Sequence, residues 1–171
     1  WWNALSLNES FATYMSYLLQ AEAHKSSFAW KSLFEEKIWG YFEDQLATTH
    51  PIENPVPDAD SALNFFDGIT YAKGASSLKQ LHFFVGDKGF RQGIRDYFKT
   101  FAWRNTTRAD FTNAIAKASG TDLSDWTSTW LQSSGPNIIT SQWACQKNGN
   151  TPELKLSLTS HPNQDGAQSP R

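Results

Sequence analysis

At Gly135-Pro136 the hydrophobic period of this 171-residue chain changes, and one regular architecture cannot serve both sides of the break. From Asn8 to about Trp130 the apolar residues recur at helical spacing. Beyond Pro136, Ile138, Ile139, Trp143 and Cys145 precede Asn148-Gly149, after which Leu154, Leu156 and Leu158 alternate strictly with polar residues. That pattern predicts a β-hairpin with one buried face, and a lone hairpin is only marginally stable. A boundary is therefore expected at residue 136: a helical unit over 1–136, then the first strands of a β domain over 137–171. The polar stretch from His161 onward reads as an unstructured tail.

Inside the helical part, Asn8 is a plausible N-cap for a helix carrying Phe11, Met15, Leu18 and Leu19. After the Ser26-Ser27 break, Trp30, Leu33, Phe34, Ile38, Phe42 and Leu46 set the apolar side of a second helix, leaving Glu35-Glu36 and Glu43-Asp44 to solvent. Three prolines between Pro51 and Pro57 impose an extended loop over His50–Asp58. Helical spacing resumes with Ile69, Ala72, Ala75, Leu78 and Leu81 and stops near Gly86; Phe90, Ile94, Tyr97, Phe98 and Phe101 mark the next helix. Thr107 can cap a helix that Gly120 ends, and Asp122 one more, with Leu123, Trp126 and Trp130.

Composition narrows the function. Fifteen basic against seventeen acidic residues give a net charge of −2, so the chain as a whole carries no positive field for a phosphate backbone and nucleic acid is not an expected partner. Cys145 is the only cysteine, which excludes an intrachain disulfide and a multi-thiolate zinc site; it reads as a small buried hydrophobe. No apolar run approaches the ~20 residues that span a bilayer. The opening Trp1-Trp2-Asn3 is neither a translation start nor a signal peptide, so the chain is expected to be part of a longer protein, with any address signal upstream. His24, His50, His82 and His161 are scattered without an H-E-x-x-H arrangement, and Gly86, Gly89 and Gly93 do not form a phosphate-cradling loop between strand and helix.

Two segments carry a resemblance. Trp1-Trp2-Asn3-Ala4-Leu5-Ser6-Leu7-Asn8-Glu9-Ser10-Phe11-Ala12 resembles the W-W-N-D-L-W-L-N-E-G/S-F-A stretch of the M1 family of zinc aminopeptidases, the aminopeptidase N type. Phe66-Asp67-Gly68-Ile69-Thr70-Tyr71-Ala72-Lys73-Gly74-Ala75 resembles that family's F-D-x-I-T-Y-x-K-G-A segment. His50-Pro51-Ile52, the stretch from Val85 to Phe98 and the ending from Trp130 to Gly135 are similar to the family's catalytic domain in order and spacing, so the resemblance runs collinearly over residues 1 to about 136.

The resemblance implies a mainly α fold, the helical half of a thermolysin-like catalytic domain, followed by the start of a β-sandwich. It implies one zinc ion held by two histidines and a glutamate in the pattern H-E-x-x-H-x18-E. Glu9 matches the third ligand, while both histidines, the water-activating glutamate and the G-x-M-E-N segment that binds a free amino terminus fall upstream of Trp1. A carboxylate in the first turn of a helix suits that place, since anionic charge is favoured there and the backbone is rigid. Tyr71 matches the tyrosine that stabilises the tetrahedral intermediate. The implied substrates are peptides with a free N-terminus, and the 171 residues alone are expected to be inactive. Asp67 and Lys73 flank Tyr71 and could orient its loop; they are not counted as catalytic.

The chain departs from the family pattern at Ala4 (usually Asp), Ser6 (usually Trp) and Ser16 (often Glu), which bears on tuning of the metal rather than on ligand identity. Two alternatives stay open: a homologue that has lost catalysis and binds peptides or acts as a scaffold, and the related branch that combines aminopeptidase with epoxide hydrolase activity.

Overall fold

A computed structural model describes residues 2–25, 27–148 and 151–162. A 3₁₀ turn, Trp2–Leu7, leads into α1 (Glu9–His24), followed by α2 (Phe28–Asp44) and an extended loop through the prolines. A short α3 (Ala59–Ala62) and a 3₁₀ turn (Leu63–Phe65) come next, then a π-helical turn over Ile69–Lys73 that runs directly into α4 (Gly74–Val85). α5 (Asp87–Phe101), α6 (Arg108–Ser119) and α7 (Ser124–Trp130) complete the helical part, and β1 (Asn137–Asn148) pairs antiparallel with β2 (Thr151–Pro162). The architecture is thus mainly helical with a two-stranded antiparallel sheet at its C-terminal end.

Local chemistry explains most element ends. Thr107 and Asp110 form a reciprocal capping box at the start of α6, and Gly120 closes it with φ 71°. Asp122 accepts from the Ser124 amide at 2.9 Å and hydroxyl at 2.7 Å, although Leu123 occupies the capping position of α7. Asn8 stands at the start of α1 without a side-chain cap bond: its backbone is already helical, with φ −86° and ψ −59°, rather than in the extended conformation of a capping residue.

The core joins α1, α4, α5, α6 and α7 through Tyr14, Leu81, Phe90, Phe111, Ile115 and Trp126. Gly89 and Gly93 belong to this packing: a Cβ on Gly93 would stand 2.8 Å from the Ile115 Cα, so these glycines let α5 lie against α6. His82 stacks on Phe90 and bridges Tyr14, at 2.6 Å, to Asp87, at 2.9 Å.

Four expectations are corrected. On α2 the buried line is Ala29, Leu33, Gly40 and Asp44, while Phe34, Ile38 and Phe42 are exposed. The cause is a close crossing: a Cβ on Gly40 would lie 2.8 Å from the Lys73 amide nitrogen, so this face of α2 presses on the π turn and carries the larger side chains outward. Of the two acidic pairs on α2, only Glu35 behaves as a solvated charge, facing Lys31. Glu36 accepts from the Tyr17 hydroxyl at 2.6 Å, and Asp44 is 3% exposed.

Cys145 is exposed rather than buried, on the hairpin face it shares with Trp143, Leu154, Leu156 and Leu158. His161 and Pro162 belong to β2, paired with Ile138 and Asn137, so the ladder extends past the expected start of the tail. Ser26, Gly149 of the expected turn and the rest of that tail lie outside the described residues. Among the described residues no helix is long and apolar enough to cross a membrane.

Candidate active site

The site forms where α1, α2 and the π turn meet. Ser10, the second residue of α1, is buried and donates its hydroxyl to the Thr70 carbonyl at 2.5 Å, across sixty positions of chain. Gly74 lies against the same side chain, with room for no Cβ: one built there would be 2.7 Å from the Ser10 Cβ. This contact sets the start of α1 against the π turn. Glu9 and Tyr71, one residue on from Ser10 and Thr70 in opposite chain directions, therefore emerge side by side.

The π turn is made by a widened hydrogen bond. The Gly68 carbonyl accepts from both Ala72 and Lys73 at 2.9 Å, the second spanning five residues. The inserted residue bulges the helix at Tyr71. Aromatic neighbours hold the phenol ring, with Trp39 stacked on it at 6.4 Å between centroids and Phe66 at 6.3 Å. Trp39 is itself tied down, its indole N–H donating to Glu43 at 2.6 Å, and the other oxygen of Glu43 accepts from the Gly68 amide at 2.5 Å.

The Tyr71 phenol faces the Glu9 carboxylate. Burial, and then the hydrogen bond to and charge of Glu9, push the phenol pKa up to about 12, because losing its proton would leave an anion desolvated beside a carboxylate. Tyr71 therefore stays a neutral O–H donor throughout the physiological range.

Two buried polar ties anchor the turn from below. Asp44, at the end of α2, accepts from Lys73 Nζ at 2.9 Å, from the Thr49 hydroxyl at 2.8 Å and from the Gly135 amide at 3.1 Å. Asp67 accepts from the Thr70 amide at 2.8 Å with one oxygen and from His50 Nε2 at 2.7 Å with the other. Sequence reasoning singled out Asp67 and Lys73 only as neighbours of Tyr71, and missed Trp39, Glu43, Asp44 and His50. The i,i+4 spacing of Trp39 and Glu43 was the one local signal; the other partners come from distant segments.

Among the described residues no group of three His, Cys, Asp or Glu side chains could hold a metal ion. The donor set still fits zinc in part. Glu9 is a half-buried carboxylate at a helix start, a donor that could serve as one ligand of a zinc ion. Ser16, a departure from the family pattern, is exposed and donates to the Thr13 carbonyl of its own helix at 2.9 Å.

Fold and site together define a helical domain that sets a helix-start carboxylate beside a phenol on a π turn. Comparison with known proteins gives this class its family. The sequence model of the peptidase family M1 domain matches residues 1–130. An aminopeptidase N of Streptomyces lividans is 46% identical over 142 residues, covering 81% of this chain and 17% of its own length. A leucyl aminopeptidase of Saccharolobus solfataricus is 36% identical over 149 residues, with 81% and 18% covered. Tricorn protease-interacting factor F2 of Thermoplasma volcanium is 38% identical over 140 residues, with 81% and 18% covered. The chain belongs to peptidase family M1. It spans less than a fifth of the length of these relatives.

Proposed function

We propose that the protein containing this chain is a zinc-dependent aminopeptidase that removes the N-terminal residue of peptides, and that residues 1–136 are the helical part of its catalytic domain, with a β domain beginning at 137. The observation that carries this reading is the juxtaposition of Glu9 and Tyr71 within a chain of family M1. Glu9 would supply one carboxylate ligand, and two histidines outside these 171 residues would supply the others. Bound zinc would polarise the scissile carbonyl and acidify a water molecule.

The work of this chain's residues follows from their protonation and support. Tyr71 keeps its proton, so it can donate a hydrogen bond to the oxyanion of the tetrahedral intermediate without giving up a charge. Trp39 and Phe66 hold its ring, which spares the reaction the entropy of orienting the donor. The π turn and the contact between Ser10 and Gly74 set its distance from Glu9.

The test uses the whole protein. Wild type is expected to bind one zinc and hydrolyse amino-acid anilides, and Glu9→Ala to lose metal and activity together. Full zinc occupancy at wild-type affinity in Glu9→Ala would remove Glu9 from the ligand set. A whole protein that binds neither zinc nor turns over these substrates would instead be a peptide-binding homologue.

A further inference from the structure

His50 lies at the head of the proline-rich loop, its side chain 12% exposed, between two acceptors. Nε2 is 2.7 Å from Asp67 Oδ2 and Nδ1 is 2.8 Å from the Pro51 carbonyl. Neither a carboxylate nor a carbonyl can donate, so both contacts are hydrogen bonds only when the imidazole carries two protons. The edge-on ring of Phe65, 4.9 Å between centroids at 80°, closes the side of the imidazole. Asp67 transmits the contact: its other oxygen holds the Thr70 amide at 2.8 Å, and its carbonyl accepts from the Tyr71 amide at 3.0 Å.

We propose that His50 is a positioning residue: as an imidazolium it locks Asp67 over the turn that carries Tyr71, and loss of its proton as pH rises loosens that turn. The proposal rests on the reading of Tyr71 as the group that acts on substrate. Two charged groups face His50, Asp67 from the segment before the turn and Lys73 from the turn itself. Burial and the Lys73 charge oppose protonation, while the hydrogen bonds to Asp67 and Pro51 and the Asp67 charge favour it. The second set prevails, so the His50 pKa is raised above its ordinary 6.5. A raised folded-state pKa stabilises the closed turn below the ordinary value, and that contribution is lost as pH rises through the raised one.

Hydrogen exchange of peptides covering residues 66–75 in the whole protein, corrected for the intrinsic pH dependence of exchange, reads the lock without reference to activity. Wild type is expected to lose protection there as pH rises through the His50 transition. His50→Gln, which keeps at most one of the two bonds, should be poorly protected at every pH. Asp67→Asn should be flat and protected, since its amide can accept from Thr70 and donate to a neutral imidazole.

In the same variants, kcat on amino-acid anilides should fall about 10- to 100-fold for His50→Gln with zinc content and KM little changed, and the fall in kcat that wild type is expected to show as pH rises through the His50 transition should be absent in Asp67→Asn. Wild-type protection that is independent of pH and equal to that of His50→Gln would overturn the proposal. A whole protein that shows the exchange behaviour but no aminopeptidase activity would overturn the reading of Tyr71 and leave the lock standing.

Discussion

Ser10 and Gly74 meet without room for another atom: the Ser10 hydroxyl reaches past Gly74 to the Thr70 carbonyl at 2.5 Å, and a methyl group on Gly74 would fall 2.7 Å from the Ser10 Cβ. This contact brings the helix that presents Glu9 against the turn that presents Tyr71, so the spacing of the site depends on the absence of one side chain.

Gly74→Ala should therefore cost about 1–3 kcal/mol, the range for overpacking a tight contact, and should move Tyr71 away from Glu9. Ser10→Ala removes the hydroxyl, the nearer of the two atoms a Gly74 methyl would meet, but keeps the Cβ, and it deletes the hydrogen bond to the Thr70 carbonyl, at about 0.5–1.5 kcal/mol. Combined, the two should cost less than their sum, because neighbouring sites couple. Chemical denaturation of the four proteins measures this, and strict additivity would mean the contact is looser than described.

Tyr71→Phe removes only the donating hydroxyl, leaving the ring against Trp39 and Phe66. In the whole protein we expect zinc content and thermal stability close to wild type, with kcat lower by about 10²–10³, the scale of losing one oxyanion donor. Steady-state kinetics with metal analysis checks it; an unchanged kcat with bound zinc would return Tyr71 to a structural role.

Asp44 neutralises Lys73, whose side chain is 18% exposed, and also holds Thr49 and Gly135. Asp44→Ala leaves an ammonium group largely buried without its partner, so a loss of about 3–5 kcal/mol is expected. Replacing both residues, as in Asp44→Ala with Lys73→Met, should recover part of that loss, which thermal melts of the single and double variants would reveal.

The hairpin presents Trp143 at 71%, Leu154 at 66% and Leu158 at 63% exposure on one face. Such a two-stranded ribbon, apolar and open at both edges, favours association. If a β domain begins at 137, truncation after residue 136 should lower the apparent mass in size-exclusion chromatography and improve solubility. Poorer behaviour of the truncated chain would place the hairpin with the helical part instead.

Sequence alone determined the features that depend on neighbours within a few residues. Thr107 as the cap of α6, the stop at Gly120, the extended prolines and the strand carrying Leu154, Leu156 and Leu158 are all local, and each stands as expected, although the face those leucines share is exposed rather than buried. The family motifs nominated Glu9 and Tyr71, which the fold brings to face each other.

Only the tertiary structure decided which faces are buried and how the site closes. Helical spacing nominated Phe34, Ile38 and Phe42 for the core, yet they are exposed, because the smallest residue on α2, Gly40, is where the backbone of the π turn comes closest. Periodicity registers large apolar side chains and is blind to a close approach made possible by missing ones. The same holds for buried Asp44 and for the partly buried pair His50 and Asp67: Lys73 and each other, from distant segments, satisfy them, and no spacing rule within one helix specifies those partners.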